Sequence, residues 1–121
     1  MRVAVIGAST NREKFGNKAV RSYVRQGHEV IPINPSEPEV EGLKAYPKVS
    51  DVPGPLDRAL LYVPPVVGVK VLDDIAAKGV GEVWVNPGAE SEELFARARE
   101  LNLKTVFACA ILDIGDSPER Y

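Results

Sequence analysis

Five short apolar runs, each ending at glycine, proline or a small polar residue, leave this chain few ways to fold. Residues 3–6 (Val-Ala-Val-Ile) run into Gly7-Ala8-Ser9-Thr10, residues 30–33 into Asn34-Pro35, and residues 59–63 into Pro64-Pro65. Residues 83–85 stop at Asn86-Pro87-Gly88, and a fifth run covers residues 105–108. Runs this short and this rich in β-branched residues read as strands buried on both faces, and proline closes a strand because it lacks the ladder donor.

Stripes of helical period lie between them. After Gly16, the positions Ala19, Val20, Tyr23 and Val24 share one face and Gly27 supplies a left-handed terminator, predicting a helix over 17–26. Val71, Leu72, Ile75 and Ala76 form a second stripe closed by Gly79. Ser91, Glu92 and Glu93 cap and charge the first turn of a third, which carries Leu94, Phe95, Ala98 and Leu101. The polar stretch from Asn34-Pro35 to Gly42 reads as loop, followed by an irregular segment through Tyr46-Pro47 and Asp51. Residues 113–121 are polar, with Gly115 and Pro118, and read as a loosely ordered tail or a cover for the sheet edge.

Strands alternating with amphipathic helices require right-handed crossovers, which deposit helices on both sides of a parallel sheet. The expectation is an α/β chain: one Rossmann-like domain over residues 1–121, with a five-stranded, mainly parallel sheet and helices on both faces. At 121 residues, 45% of them hydrophobic, the chain is long enough to close such a core.

Composition narrows the function. Fifteen basic and seventeen acidic residues are interspersed, which gives neither a stripe for nucleic acid nor a polybasic anchor for membranes. The longest apolar stretch, 59–69, is broken by Pro64, Pro65 and Gly68, far short of the roughly 20 residues a spanning helix needs. Strand-like sequence from Val3 leaves no room for a cleavable leader, so a cytoplasmic location is expected. A single cysteine and a single histidine exclude an internal disulfide and a Cys/His metal cluster, so no metal site is expected. A small-molecule partner remains.

Ligands of such sheets sit beyond the carboxyl ends of the strands. At the first end, Gly7 permits a turn, Ala8 and Ser9 let the backbone approach an anion, and the helix that follows offers unpaired N–H groups at Gly16. The hydroxyls of Ser9 and Thr10 add donors, Asn11 continues the loop, and Arg12 or Lys14 can neutralise a phosphate. A dinucleotide fingerprint would need glycine where Ser9 and Arg12 stand, and an acid at the end of strand two where Asn34-Pro35 stand; Glu37 lies three residues too late. Val63-Pro64-Pro65 and Asn86-Pro87-Gly88 offer stiff, small surfaces against which a base or a pantetheine arm can lie, although each taken alone is more often just a turn.

Taken together these residues resemble the CoA-binding domain family, which includes the first domain of the succinyl-CoA synthetase alpha subunit, the matching domain of ADP-forming acyl-CoA synthetases, and small stand-alone proteins. The resemblance is carried by Val5-Ile6-Gly7-Ala8-Ser9, Gly16, Gly27, Val30, Pro32-Ile33-Asn34-Pro35, Gly42, Ala45-Tyr46-Pro47, Asp51, Pro53, Asp57 and Val63-Pro64-Pro65, most of the chain. It implies that Ser9 to Arg12 hold the phosphates of coenzyme A or an acyl-CoA. It further implies that Asn34-Pro35 and Val63-Pro64-Pro65 border the adenosine end, and that Asn86-Pro87-Gly88 contact the cofactor. The synthetases continue into a second domain with a phosphorylatable histidine, and they often show Asn-Cys-Pro-Gly where this chain has Ala108-Cys109-Ala110-Ile111. Their chemistry is therefore not carried over.

No catalytic residue is expected. His28 follows Gly27 at the opposite end of the sheet, and Cys109 in an apolar run reads as a small core residue rather than a redox group. Asp113, Asp116 and Glu119 read as solvated surface, and Tyr23, Tyr46 and Trp84 as packing. Three readings stand: a non-catalytic CoA-binding module, regulatory or carrier-like, with room for a protein partner; an NAD(P)-binding oxidoreductase fragment; and a Rossmann-like interaction module with a vestigial pocket.

Overall fold

The computed structural model describes residues 1–121. Its elements run β1 (Arg2–Ile6), α1 (Phe15–Arg25), β2 (Glu29–Ile33), β3 (Glu39–Val40), β4 (Leu43–Lys44), a 3-10 turn (Val49–Asp51), β5 (Arg58–Leu61), α2 (Pro65–Lys78), β6 (Glu82–Val85), α3 (Glu92–Glu100), β7 (Thr105–Phe107), α4 (Ala110–Asp113) and a last 3-10 turn (Pro118–Arg120).

Five strands form one parallel sheet in the order β2-β1-β5-β6-β7. The pleat sends alternate residues to opposite faces. Ala4, Ile6, Ile31, Ile33, Ala59, Leu61, Val83 and Val85 pack with Leu72 and Ile75 of α2 and with Leu94 and Ala98 of α3. Val3, Val5, Val30, Leu60 and Trp84 pack with Ala19, Val20 and Tyr23 of α1 and with Ala110 and Ile111 of α4. The expected α/β sheet with helices on both faces is what the chain forms. Pro32 sits inside β2, opposite Val5, and is tolerated there because β2 is an edge strand.

Punctuation acts as its chemistry dictates. Gly27 and Gly79 take positive φ after α1 and α2, Pro65 opens α2, and Ser91 Oγ accepts from the Leu94 N–H, 3.1 Å, at the start of α3. The run 59–63 yields a strand only to Leu61: the Tyr62 N–H still donates to the Ile6 carbonyl at 2.8 Å, after which Pro64 and Pro65 lead the chain into α2.

Two regions differ from the sequence reading. The polar stretch up to Gly42 is not plain loop: β3 and β4 pair antiparallel around Glu41 and Gly42, both at positive φ, and Val40 is buried beneath them. The chain end is not loose. Ile111 is fully buried, Asp116 accepts from Ser22 Oγ at 2.8 Å, and Arg21 lies over the Tyr121 ring, so the segment covers α1 rather than the sheet edge. No helix is long and apolar enough to cross a membrane.

Candidate functional site

The strand order reverses between β1 and β5, the parallel neighbours from which crossovers leave to opposite sides, and a cavity of about 770 Å3 opens above their carboxyl ends. Its size fits the range of small-molecule sites.

Two glycines create it. Gly7 turns at φ +91°, and a Cβ there would meet the Tyr62 carbonyl oxygen at 2.4 Å. Gly16, in the first turn of α1, would bring a Cβ to 2.2 Å from the Gly7 carbonyl oxygen. The helix thus begins directly on the strand's last turn, a close approach that only hydrogen side chains permit. Lys14 precedes the helix without a side-chain cap, no acid occupies the first turn, and the N–H groups of Phe15 and Gly16 meet no acceptor in the chain. They line the cavity with Lys14, which makes a positive, donor-rich end suited to an anion.

The loop between is tied from both sides. Ser9 Oγ accepts from the Asn11 N–H and Asn11 Oδ1 from the Glu13 N–H, each at 3.0 Å. Asn17, fully buried in α1, donates from Nδ2 to the Ser9 carbonyl at 2.8 Å and to the Glu41 carboxylate at 3.0 Å. The hairpin turn therefore braces the loop. Asn34 reaches across from β2, donating from Nδ2 to the Ala8 carbonyl at 2.8 Å while its Oδ1 accepts from the N–H groups of Ser36 and Glu37, both at 2.9 Å.

Of the expected residues, Gly7, Ala8, Ser9, Lys14, Gly16, Asn34, Val63, Pro64, Pro65, Pro87 and Gly88 line the one cavity. Thr10, Asn11, Arg12 and Pro35 are exposed but do not line it. Arg12 instead pairs with Glu41 at 3.3 Å on the outer side of the loop. Asn86 lies beneath the wall at 2% exposure: its Nδ2 donates to the Leu61 carbonyl, 3.0 Å, and its Oδ1 accepts from the Ala110 N–H, 2.8 Å. It splices the ends of β5 and β6 to α4. His28 lies at the far end of the sheet, 3.0 Å from the amino terminus through Nδ1, with its basicity lowered by burial and by that ammonium.

The sequence reading passed over Glu13, Phe15, Tyr62 and Ala89, which complete the wall, and Asn17 and Glu41, which brace it. An asparagine on the apolar face of an amphipathic helix, and a Glu-Gly pair between Val40 and Leu43, were the available signals. Tyr62 forms part of the wall with its hydroxyl buried and without any partner, and burial pushes its ionisation up. The site thus has the traits a phosphate-bearing cofactor needs: a cradle that any Cβ would fill, free helix N–H groups and a lysine at the entrance.

Comparison with known proteins agrees with this geometry. A family model described as a CoA binding domain matches residues 1–114. The alpha subunit of an ADP-forming acetate–CoA ligase II from Pyrococcus furiosus is 39% identical over 88 residues, which are 71% of this chain and 19% of that subunit. A conserved hypothetical protein of known structure from the same organism superposes with a TM-score of 0.86 at 34% identity, covering 93% of this chain and 97% of the other. A dinucleotide-forming acetyl-coenzyme A synthetase from Ca. Korarchaeum cryptofilum, solved with phosphate and ADP, gives a TM-score of 0.79 at 37% identity, covering 88% of this chain and 25% of that one. The chain spans a fifth or less of the two ligases, from Pyrococcus furiosus and Methanocaldococcus jannaschii, that it matches at 39% and 38% identity.

Proposed function

Because this chain belongs to the CoA-binding domain family, we propose that it holds coenzyme A or an acyl-CoA non-covalently at the rim above β1 and β5, as one binding unit that performs no chemistry itself. The carrying observation is the cradle made by Gly7 and Gly16 beneath the free N–H groups of Phe15 and Gly16. A pyrophosphate there meets the positive end of α1 and the Lys14 ammonium, and displaces no internal hydrogen bond.

Asn34 and Pro35 at the end of β2 border the adenosine side, and Val63-Pro64-Pro65 form the opposite bank. The pantetheine arm then runs over β5 and β6 past Pro87 and Gly88. Asn34 replaces the acid that would grip a dinucleotide's ribose, and both ends of its amide are engaged within the chain. Binding without chemistry is supported by the wall itself, whose ionisable side chains are Glu13, Lys14 and Tyr62, a set with no nucleophile beside a base.

Isothermal titration with coenzyme A, acetyl-CoA, NAD and NADP in one buffer tests the reading. Micromolar binding of both CoA forms with no heat from NAD or NADP is expected. Heat from NAD or NADP alone would return the chain to the oxidoreductases, and no heat from any of them would leave an interaction module with a vestigial pocket.

A further inference from the structure

A second depression lies along the same rim, outside the cavity just described. It is a groove of about 200 Å3 bounded by Val85, Pro87, Phe95, Phe107, Ala108 and Glu90. The rings of Phe95 and Phe107 stack with centroids 3.9 Å apart, yet the two residues remain 42% and 38% exposed. Two large aromatics left in water beside each other, with no internal packing to account for them, mark a surface that gains by being covered.

Pro87 lines both the groove and the larger cavity, so the two adjoin along the rim. Distance fits as well. The phosphate cradle ends β1 and the groove ends β6 and β7; in the order β1-β5-β6-β7 these rims are two to three strand spacings apart, about 10 to 14 Å. A pantetheine arm, twelve bonds from phosphate oxygen to sulfur, spans roughly 15 Å when extended. A phosphate seated at Phe15 and Gly16 therefore delivers the sulfur to the mouth of the groove.

We infer that the groove between Phe95 and Phe107 is an acyl site, and that the ligand of this chain is the thioester of a neutral, apolar acyl group of about six carbons. This rests on the CoA reading above. The volume is that of roughly six or seven groups the size of a water molecule, which suits a hexanoyl chain or a single aromatic ring. Glu90 sets the charge preference: its carboxylate accepts from the Gly88 N–H at 2.9 Å at the border of the groove, and it opposes an acyl group that ends in a carboxylate.

The test is titration of the full chain with coenzyme A, acetyl-CoA, hexanoyl-CoA and succinyl-CoA. Hexanoyl-CoA is expected to bind about tenfold more tightly than coenzyme A, and succinyl-CoA no more tightly than coenzyme A. In Phe107→Ala, and separately in Phe95→Ser, the hexanoyl-to-CoA affinity ratio falls towards one. In Glu90→Gln, succinyl-CoA gains relative to coenzyme A. Equal affinities for coenzyme A and hexanoyl-CoA in the unmodified chain, or a ratio that survives both phenylalanine substitutions, overturns the acyl site while leaving the CoA reading intact. Absence of coenzyme A binding overturns both. Sedimentation of the same samples covers the competing occupant: a dimer that dissociates in Phe107→Ala, with no hexanoyl preference, assigns the patch to a second copy of the chain instead.

Discussion

Single side chains at this rim divide between those that shape space and those that hold the shape. Gly7 and Gly16 were readable from sequence because nothing else tolerates a strand and a helix in such close approach. Asn86 stood out equally as a polar residue at a strand end, but its role was not readable. Only the fold shows that its amide is spent on Leu61 and Ala110. Asp116 is the reverse case, a carboxylate that reads as surface and proves to be enclosed. It accepts from Ser22 and Tyr121 and from the Ser117 N–H, and these donors, Tyr121 foremost, hold its pKa at about 2, below the ordinary 3.8. A folded-state pKa below the unfolded value means that the charged form is favoured by folding. Its contribution is complete above about pH 4 and is lost as pH falls towards 2. Urea unfolding of the parent and Asp116→Asn is expected to show the parent more stable at pH 7, with the gap closing between pH 4 and pH 2. A gap that stays constant over that window would show that the carboxylate's charge contributes nothing to it.

Secondary-structure elements were legible where one physical signal dominated. The five strands and the three longer helices follow from apolar period and from glycine and proline stops, with ends displaced by one or two residues except at α2, which begins at Pro65, six residues before the first stripe position, Val71. The β3–β4 hairpin was not, because two-residue strands carry no period and their pairing depends on Ala45 and Tyr46 docking against the end of β2. That hairpin is nonetheless part of the site. Its turn residue Glu41 holds Asn17, and through Asn17 the Ser9 carbonyl, so the order of the loop is imposed from a neighbouring element. Glu41→Ala is expected to cost about 1 kcal/mol of stability, since the Glu41 carboxylate and its Arg12 partner are partly solvated, and to weaken coenzyme A three- to tenfold by loosening the loop. Urea titration and calorimetry on one preparation separate the two effects. A variant that binds as the parent does would show that the loop keeps its order without the hairpin.

At the scale of the molecule, the sheet order was recoverable only in outline. Alternation of strands and helices requires parallel pairing, but nothing local states that β5 lies beside β1, which is where the cavity opens. Because the wall draws on Gly7 to Ser9, Glu13 to Gly16, Asn34, Tyr62 to Pro65 and Pro87 to Ala89, no part of the sheet can present it alone. Coenzyme A is therefore expected to slow unfolding in urea in proportion to its occupancy and to leave the refolding rate unchanged, as stopped-flow fluorescence of Trp84 would report. Acceleration of refolding by the ligand would mean that part of the wall is assembled before the rest of the sheet.

The parallel arrangement carries one more consequence. Every crossover returns the chain to the starting end before the next strand begins, so the segments of the rim are made one at a time, and the last of them, Pro87 to Ala89, follows the first by some eighty residues of sequence. On a ribosome, a chain halted before β6 has the glycine turn, its helix and the bank at Val63 to Pro65 but lacks Pro87 to Ala89. On the proposed reading, a complete coenzyme A site is thus a late milestone of synthesis, and incomplete copies lack it without any separate safeguard.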